Sequence, residues 1–396
     1  MSSILIAPDK FKGCLSADKV ADALAEGVSS RLPDARVHRL PLADGGEGSA
    51  AAARAAGFAI KHITVTGPDG RTRTAPLASR GGTVLIEAAA ICGLATSPAG
   101  ARIPLRATTL GVGEAIRIAL IDRPDTIVLA VGGVATTDGG AGMLQALGAR
   151  LTRADGTAVK PGGGGLAELT AADLTAAIQI LSGIDLVLAV DVDNPLLGPH
   201  GTAAVYGPQK GAGAAEVAHL ERSLGQFIHV LEHAGVSGAR RAADTAGAGA
   251  AGGLGFAGLS LGARLRSGAD HFLALLGAEG LLARSDLAIT GEGSLDQQTL
   301  SGKLPVAFAR HARRLAVPVH AVAGRCTLTA QQAGRHFRSV QALTDLTDLD
   351  PAHDGELSAR LLRRCGQTIA DRYRSESVAH DEAYTIIRKL TIESDS

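Results

Sequence analysis

Short runs of apolar, often β-branched residues alternate along the chain with longer stretches in which apolar residues recur every three or four positions. Residues 3–7 read SILIA, which is typical of a buried strand, and residues 17–31 carry apolar side chains four apart on one helical face. Strands that alternate with such helices are typical of an α/β protein with a mostly parallel sheet. The pattern therefore predicts an α/β fold, with Ser16 as the cap of the first helix.

The same criteria predict the remaining elements. Strands are expected at 37–42, 126–131, 185–190, 286–290 and 317–321, and helices at 109–121, 216–234 and 305–315. Residues 63–66 and 72–77 flank a Gly-Pro-Asp-Gly turn, and this arrangement predicts an antiparallel hairpin.

The hairpin interrupts the parallel pattern, so we expect a domain boundary just before it, near residue 61. The C-terminal strand–helix–strand unit is predicted to rejoin the N-terminal strands in one sheet. The predicted organisation is a discontinuous domain of residues 1–60 and 283–375, an inserted domain of residues 61–282, and a C-terminal tail of residues 376–396. Within the tail, residues 378–392 are predicted to form a short helix or an oligomer contact.

Composition excludes several classes of protein. The 39 Lys and Arg residues balance the 39 Asp and Glu residues, which argues against a nucleic-acid binder that works through bulk basicity. Three Tyr, seven Phe and no Trp leave few platforms for base stacking. Four widely spaced cysteines and an N-terminus without signal-peptide features predict a reduced, cytoplasmic protein. The uncharged stretch 245–263 is too rich in glycine to suit a membrane span, so we expect neither nucleic acid nor membrane as partner.

Polar clusters that contain glycine follow most of the predicted strands. Ligands of parallel α/β sheets bind beyond the carboxyl ends of the strands. Carboxylates there can hold a metal or accept a proton, and glycine-rich turns let backbone N–H groups meet phosphate. The clusters are PDKFKG (8–13), LADGGEG (42–48), GGVATTDGGAG (132–142), DVDNP (191–195), GPQKGAG (207–213), AGAGAAGG (246–253) and TGEGSLDQQTLSGK (290–303).

Familiar motifs do not account for these clusters. A G-x-G-x-x-G match at 247–252 lacks the apolar strand that should precede it, and the Gly-Lys pair at 302–303 lacks the Ser or Thr of a P-loop. His229 and His233 have the helical spacing of zinc ligands, but two ligands alone favour a solvated helix face. The sequence also lacks the G-x-S-x-G motif of a serine hydrolase. Carboxylates, lysines and glycines without a covalent nucleophile suit phosphoryl transfer.

In residues and in order, the clusters resemble the motifs of the bacterial glycerate kinases of the first type. The resemblance runs from about residue 3 to about residue 375 and includes APDKFKGCLSA, PLADGGEG, DVDNPLLGPHGTAAVYGPQKGA, GAGAAGGLG and ITGEGSLDQQTLSGK. It implies phosphorylation of D-glycerate to 2-phosphoglycerate with ATP and Mg²⁺. It also implies a Rossmann- or flavodoxin-like parallel-sheet domain and a second α/β domain with a mixed sheet, with the active site in the cleft between them. The resemblance leaves open whether the protein forms a homodimer.

Candidate roles combine the resemblance with position. Asp191 is predicted to be the catalytic base because it ends a strongly apolar strand, where a carboxylate is fixed and partly desolvated. Asp193 falls on the same side if the strand continues, so the two can share base and metal duties. The candidates are Asp191, Lys12 and Lys303 as catalytic residues; Asp9, Lys10, Asp44, Glu47 and Asn194 for substrate; Gly132, Gly133, Thr136, Thr137, Asp138, Gln209, Lys210, Gly249 and Gly252 for nucleotide or phosphate; and Asp193, Glu292 and Asp296 for metal. For each acid, a turn-capping carboxylate is the alternative.

The sequence departs from the family pattern at a few positions. Lys10 and Cys14 stand where the family commonly has serines, and Val134 and Thr137 replace a Ser and an Asn. Lys10 adds a cation beside Lys12, and both a solvated side chain and a role in binding the substrate carboxylate or phosphate stay open. Two alternative functions are a kinase of a related small hydroxy acid and a non-catalytic phospholigand-binding regulator. The retained carboxylates favour an enzyme.

Overall fold

The computed structural model describes residues 2–94, 102–300 and 302–394. It contains two compact units, Met1–Leu42 with Leu273–Ser396, and Ala43–Phe272. These divisions differ from the predicted ones near residues 61 and 282. At the first boundary the reason is local: the helix at Ser49–Ala55 packs against the strands at Thr72–Arg80 and Thr83–Glu87, so the chain joins the second unit before the hairpin begins.

The described residues form 13 strands and 16 α-helices, which alternate over parts of the chain. The strands are β1 Ser3–Pro8, β2 Arg36–Arg39, β3 Ala59–Thr66, β4 Thr72–Arg80, β5 Thr83–Glu87, β6 Thr126–Ala130, β7 Arg150–Thr152, β8 Ala171–Asp173, β9 Asp185–Val190, β10 Arg264–Ser267, β11 Leu287–Leu295, β12 Val319–Cys326 and β13 Ser339–Ala342. The α-helices are α1 Ala17–Arg31, α2 Ser49–Ala55, α3 Ala88–Cys92, α4 Leu110–Ile121, α5 Ala141–Ala146, α6 Thr175–Ile180, α7 Thr202–Tyr206, α8 Ala214–His233, α9 Ala239–Asp244, α10 Leu254–Ser260, α11 Gly268–Leu275, α12 Ala278–Leu282, α13 Gln297–Leu300, α14 Leu304–Arg314, α15 Ala330–Gly334 and α16 Gly355–Ser394.

The first unit is built on a parallel sheet of order β13-β12-β11-β1-β2. Since β1 pairs with β11, strands from both ends of the chain form one sheet. Numbered within the unit, the order is 2-1-3-4-5, the flavodoxin-like doubly wound arrangement. In such sheets ligands bind where the strand order reverses, which here is between the carboxyl ends of β1 and β11.

Helices α1 and α16 pack closely together in this unit. A Cβ atom on Gly27 would lie 2.1 Å from the carbonyl oxygen of Arg363, and one on Gly366 would lie 2.5 Å from that of Leu24, so both glycines permit backbone contact. The helix α16 runs for 40 residues to Ser394. Residues 378–392 therefore continue this helix rather than forming a separate short one.

The second unit contains a mixed sheet of order β10-β9-β6-β5-β4-β3. Strands β10, β9, β6 and β5 are parallel, and β4 and β3 add the antiparallel hairpin. The Gly67 N–H donates to the Arg71 carbonyl at 2.7 Å and closes the hairpin turn, which confirms that prediction. Buried aliphatic side chains form the core, with Phe227 and Phe256 in edge contact at 5.6 Å between ring centroids.

Two local predictions need correction. Ser16 occupies the N-cap position of α1, but its side chain makes no capping hydrogen bond. The strand predicted at 37–42 ends at Arg39, after which the Leu40 and Leu42 N–H groups still bond to the carbonyls of Ile6 and Pro8. The chain thus stays beside β1 and leads directly into the LADGGEG cluster.

Candidate active site

A pocket opens at the carboxyl edge of the mixed sheet, where the ends of β6 and β9 lie side by side. Its volume is about 180 Å³, which is smaller than the roughly 300–1,000 Å³ of pockets for drug-sized ligands. The pocket therefore suits a small molecule rather than a whole nucleotide. Its lining consists of Asp44, Gly45, Gly46, Leu94, Val131, Gly132, Gly133, Val134, Ala189, Val190, Asp191, Val192, Tyr206, Gln209, Lys210, Ala250 and Ala251.

Asp191 follows β9 and projects its carboxylate to the start of α11. The N–H groups of Gly268 and Ala269 donate to its Oδ1 at 2.8 and 3.3 Å. A Cβ atom on Gly268 would lie 2.5 Å from Oδ2 of Asp191 and 2.1 Å from the carbonyl oxygen of Asp44. Only glycine leaves room for both groups, so Gly268 is part of the site although sequence reasoning missed it. A glycine directly after the short strand β10 is its only sequence signal.

The surroundings of Asp191 favour its protonated form. Protein packed around the carboxyl and, second, the negative charge of Asp44 raise its pKa from 3.8 to about 6, against the lowering effect of the two N–H donors. The side chain nevertheless reaches solvent through the pocket. A carboxylate that titrates near the working pH is suited to accept a proton from a bound hydroxyl group.

Asp44 lies in the segment that crosses the ends of β6 and β9. The Gly132 N–H donates to the Gly45 carbonyl at 3.0 Å, and the Gly46 N–H donates to Asp44 Oδ1 at 3.2 Å. Gly45 has a φ of +91°, and a Cβ there would meet the Cβ of Ala189 at 3.0 Å. The glycines of the LADGGEG cluster therefore bring this segment onto the strand ends beside Asp191.

Glu87 anchors the other end of the same segment. It ends β5 and is buried, and its two carboxylate oxygens accept hydrogen bonds from the N–H groups of Gly48 at 3.1 Å and Ala50 at 2.8 Å. These groups open α2, where a negative charge is stabilised by the helix N-terminus. Sequence reasoning missed Glu87, although it ends an apolar strand as Asp191 nearly does.

Asp138 is buried inside the protein, where hydrogen bonds hold its carboxylate. It is fully buried, and its carboxylate accepts hydrogen bonds from the Thr109 N–H at 2.8 Å, the Thr109 hydroxyl at 2.9 Å, and the N–H groups of Gly140 and Gly142 at 3.1 and 3.2 Å. Burial raises its pKa, and these donors oppose the rise. The side chain is absent from the pocket lining, so Asp138 shapes the loop after β6 from inside.

Lys210 is a buried cation in the pocket wall. Its side chain is only 4% exposed, and its ammonium group donates to the Thr136 carbonyl at 2.5 Å. Burial lowers its pKa to about 8, while Cys92 and Asp138 act in the opposite direction. Thr136 and Thr137 are themselves fully buried, so the predicted nucleotide contacts of their side chains are not presented to the pocket.

The glycines predicted to bind nucleotide fall into two groups. Gly132 and Gly133 line the pocket, as does Gln209. Gly249 and Gly252 instead pack against protein: the Gly249 N–H donates to the Asn194 carbonyl at 2.9 Å, and a Cβ on Gly252 would lie 1.9 Å from the Thr136 carbonyl oxygen. They hold neighbouring loops together.

Asn194 is fixed behind the pocket wall. Its Oδ1 accepts a hydrogen bond from the Tyr206 hydroxyl at 2.6 Å, and its Nδ2 donates to the His200 carbonyl at 2.7 Å. Tyr206 lines the pocket, whereas Asn194 does not. Sequence reasoning singled out Asn194 and missed Tyr206, which lies 12 residues further along the chain.

Other candidate site residues lie in the first unit, at the place where its strand order reverses between β1 and β11. Asp9 follows β1, and its N–H donates to the Gly291 carbonyl at 2.8 Å, next to Glu292 in β11. The Lys10 N–H donates to Asp9 Oδ1 at 2.7 Å. Glu292 Oε1 accepts a hydrogen bond from the Thr299 hydroxyl at 2.6 Å. Asp9 and Glu292 therefore share one edge of the parallel sheet.

Asp296 and Lys303 flank α13 in the same unit. Asp296 Oδ1 accepts the N–H groups of Gln298 at 2.9 Å and Thr299 at 3.3 Å, as a turn-capping carboxylate does. The Lys303 ammonium group donates to Gln298 Oε1 at 3.0 Å, and Lys12 is exposed.

Among residues 2–94, 102–300 and 302–376, no group of three or more His, Cys, Asp or Glu side chains is placed to hold a metal ion. Asp193 and Glu47 are exposed. The His229 and His233 rings lie 4.1 Å apart between centroids at an angle of 54°, and the His233 ring bonds to the His229 carbonyl, as expected on a helix surface.

A titratable carboxylate, a buried lysine and close glycine backbone on an α/β scaffold are the components of a phosphotransferase that acts without a covalent intermediate. The chain matches the model of the glycerate kinase family over residues 4–374. It is 41% identical to the glycerate kinase of Bacillus subtilis over 93% of this chain and 96% of the relative, and 39% identical to the glycerate 2-kinase of Escherichia coli over 93% and 98%. A crystal structure of a glycerate kinase 2 from Salmonella typhimurium LT2 superposes with a TM-score of 0.81 and 39% identity, covering 95% of this chain and 99% of that one.

The chain therefore belongs to the glycerate kinase family, and it is a kinase with an alcohol group as acceptor. The fold agrees with the predicted pairing of a parallel-sheet unit with a mixed-sheet unit. Over the described residues, the structure has no helix of the length and apolarity that a membrane span requires.

Proposed function

We propose that this protein is a glycerate 2-kinase that transfers the γ-phosphoryl group of ATP to the 2-hydroxyl of D-glycerate, giving 2-phosphoglycerate and ADP. The proposal is supported by the family match over residues 4–374 and by the 39% identity to the glycerate 2-kinase of Escherichia coli, together with Asp191, a carboxylate that two N–H groups fix in a pocket of small-molecule size.

In the proposed step, Asp191 accepts the proton of the glycerate hydroxyl as that oxygen attacks the γ-phosphorus, and the bond from phosphorus to the bridging oxygen of ADP breaks. Phosphoryl transfer requires alignment and neutralisation of charge more than covalent help. Lys210 supplies a fixed cation in the same pocket, held by the Thr136 carbonyl. Burial and, second, the charge of Asp44 keep the pKa of Asp191 raised, so the base takes up the proton readily.

Mg²⁺ fits this proposal without a preformed cluster. The ion is usually bound by one or two carboxylates, with substrate phosphates and waters completing its shell. Asp193, which is exposed two residues after Asp191, has the hard oxygen donors that the ion prefers. The role of Glu292, in the first unit, as a metal ligand stays a prediction. When bound, the ion would neutralise phosphate charge. The roles of Asp296 as metal ligand and of Lys12 and Lys303 as phosphate-binding cations stay predictions, as do a cytoplasmic location and a homodimer.

The test is coupled ADP release with D-glycerate and Mg·ATP, with the position of the product phosphate read by phosphorus NMR. The proposal predicts 2-phosphoglycerate. If 3-phosphoglycerate is the sole product, the regiochemistry is wrong and the kinase assignment stands. If only a related hydroxy acid is phosphorylated, the alternative kinase is correct, and if ligands bind without ADP release, the protein is the phospholigand-binding regulator.

A further inference from the structure

Tyr206 forms a wall of the pocket that contains Asp191 and Lys210, and no motif argument assigned it a role. It is the last residue of α7, its side chain is half-buried, and it has the largest side chain of the residues that line the pocket. The remaining lining comes mostly from Gly, Ala, Val and Leu residues. The aromatic ring is therefore the bulkiest group in the wall of this small pocket.

The ring is held in one orientation from behind the wall. Its hydroxyl donates to Asn194 Oδ1 at 2.6 Å, and Asn194 Nδ2 donates to the His200 carbonyl at 2.7 Å. The backbone carbonyl of Asn194 also accepts the Gly249 N–H at 2.9 Å. Because both ends of the amide are engaged, Asn194 cannot rotate away without breaking a bond, and the ring cannot swing aside without losing its own.

We propose that Tyr206 sets the size limit of the acceptor pocket and thereby selects three-carbon hydroxy acids over longer ones. The proposal rests on the proposed function, since it takes the pocket around Asp191 as the acceptor site. A wall that cannot yield excludes an added carbon by steric overlap. Pockets typically discriminate a single added or missing methylene by about 10–200-fold in kcat/KM.

The experiment compares kcat/KM for D-glycerate and for the four-carbon acid D-erythronate in the full-length enzyme. In Tyr206→Ala we expect the ratio of the two values to shift about tenfold toward the longer acid. Asn194→Ala keeps the ring but removes its anchor, so its ratio is expected to lie between those of the wild type and Tyr206→Ala. Tyr206→Leu serves if the alanine variant does not fold.

Tyr373→Ala is the matched control, because Tyr373 lies on α16 in the other unit, where its hydroxyl bonds to Ser2 at 3.3 Å. Its ratio should equal that of the wild type. If the Tyr206 variants lose kcat/KM for both acids in equal proportion, the ring has only a structural role and the proposal is overturned. A wild-type enzyme that transfers phosphate to neither acid overturns the proposed function and this proposal with it.

Discussion

The Gly268 N–H donates to Asp191 Oδ1 at 2.8 Å, so the first turn of α11 holds the carboxylate of the proposed base. The same glycine is confined, since a Cβ there would lie 2.5 Å from Asp191 Oδ2. One residue thus fixes the carboxylate by its backbone and leaves room for it by lacking a side chain.

Gly268→Ala tests this relationship. The added methyl group must displace either the Asp191 carboxylate or the Asp44 backbone, and a shift of about 1 Å near reacting groups can cost roughly 10²-fold in rate. We expect kcat to fall by about that factor, measured by coupled ADP release. Gly280→Ala in α12 is the control, because a Cβ there meets no atom within 4 Å. Equal activity of both variants would exclude a close fit at Gly268.

The pH dependence of the rate follows from two groups in the pocket. Asp191, with a pKa of about 6, must be ionised to accept a proton, and Lys210, with a pKa of about 8, must be protonated to act as a cation. We expect kcat to rise with pH through about 6 and to fall above about 8, which a pH–rate profile measures. In Lys210→Met the upper limb should disappear. An upper limb that persists in this variant would belong to another group.

If Lys210 acts as the proposed cation, Lys210→Met should also lower kcat by about 10²–10³-fold, because it removes a fixed charge from the pocket. The variant replaces a 4% exposed ammonium group with an apolar side chain of similar length. Removal of a buried charge favours the fold and loss of the donor to the Thr136 carbonyl opposes it, so the change in Tm should be small. Lys61→Met, at an exposed position on β3, is the control and should match the wild type in both measurements. A loss of rate that appears only together with a large fall in Tm would identify Lys210 as structural.

The effect of Asp191→Asn on Tm should depend on pH. The folded-state pKa of about 6 lies above the ordinary 3.8, so this group stabilises the fold below about pH 4, and the contribution is lost as the pH rises through 6. The asparagine variant avoids the charge and keeps an oxygen for the Gly268 N–H. We therefore expect its Tm to equal or exceed that of the wild type at pH 8 but not at pH 4. A lower Tm at pH 8 would mean that the ionised carboxylate stabilises the fold.

Sequence reasoning succeeded where the determining contacts are local or periodic. Apolar runs and a Gly-Pro-Asp-Gly turn are enough to predict β1, β9 and the β3–β4 hairpin. Ser16 shows the limit, since the residue type favours a cap but the side chain of this residue makes no capping bond.

The candidate site was less predictable because its contacts join distant segments. Asp138 carries the same sequence signals as a ligand-binding acid, yet its carboxylate bonds to Thr109, 29 residues away, and is buried. Glu87 and Tyr206 are ordinary residues in an apolar strand and a short helix, and only the packing of Gly48, Ala50 and Asn194 against them reveals their roles. Sequence motifs do not show which backbone N–H groups donate to a site or which side chains form the wall of a pocket.

The central claim, that Asp191 accepts the proton during transfer to the 2-hydroxyl of D-glycerate, is tested most directly by following wild-type and Asp191→Asn enzymes side by side with D-glycerate and Mg·ATP by phosphorus NMR. A general base contributes about 10²–10⁴-fold to the rate, so we expect 2-phosphoglycerate from the wild type and a loss of that size in the variant, with KM for Mg·ATP nearly unchanged. Formation of 2-phosphoglycerate by Asp191→Asn within a few-fold of the wild-type rate would contradict the claim.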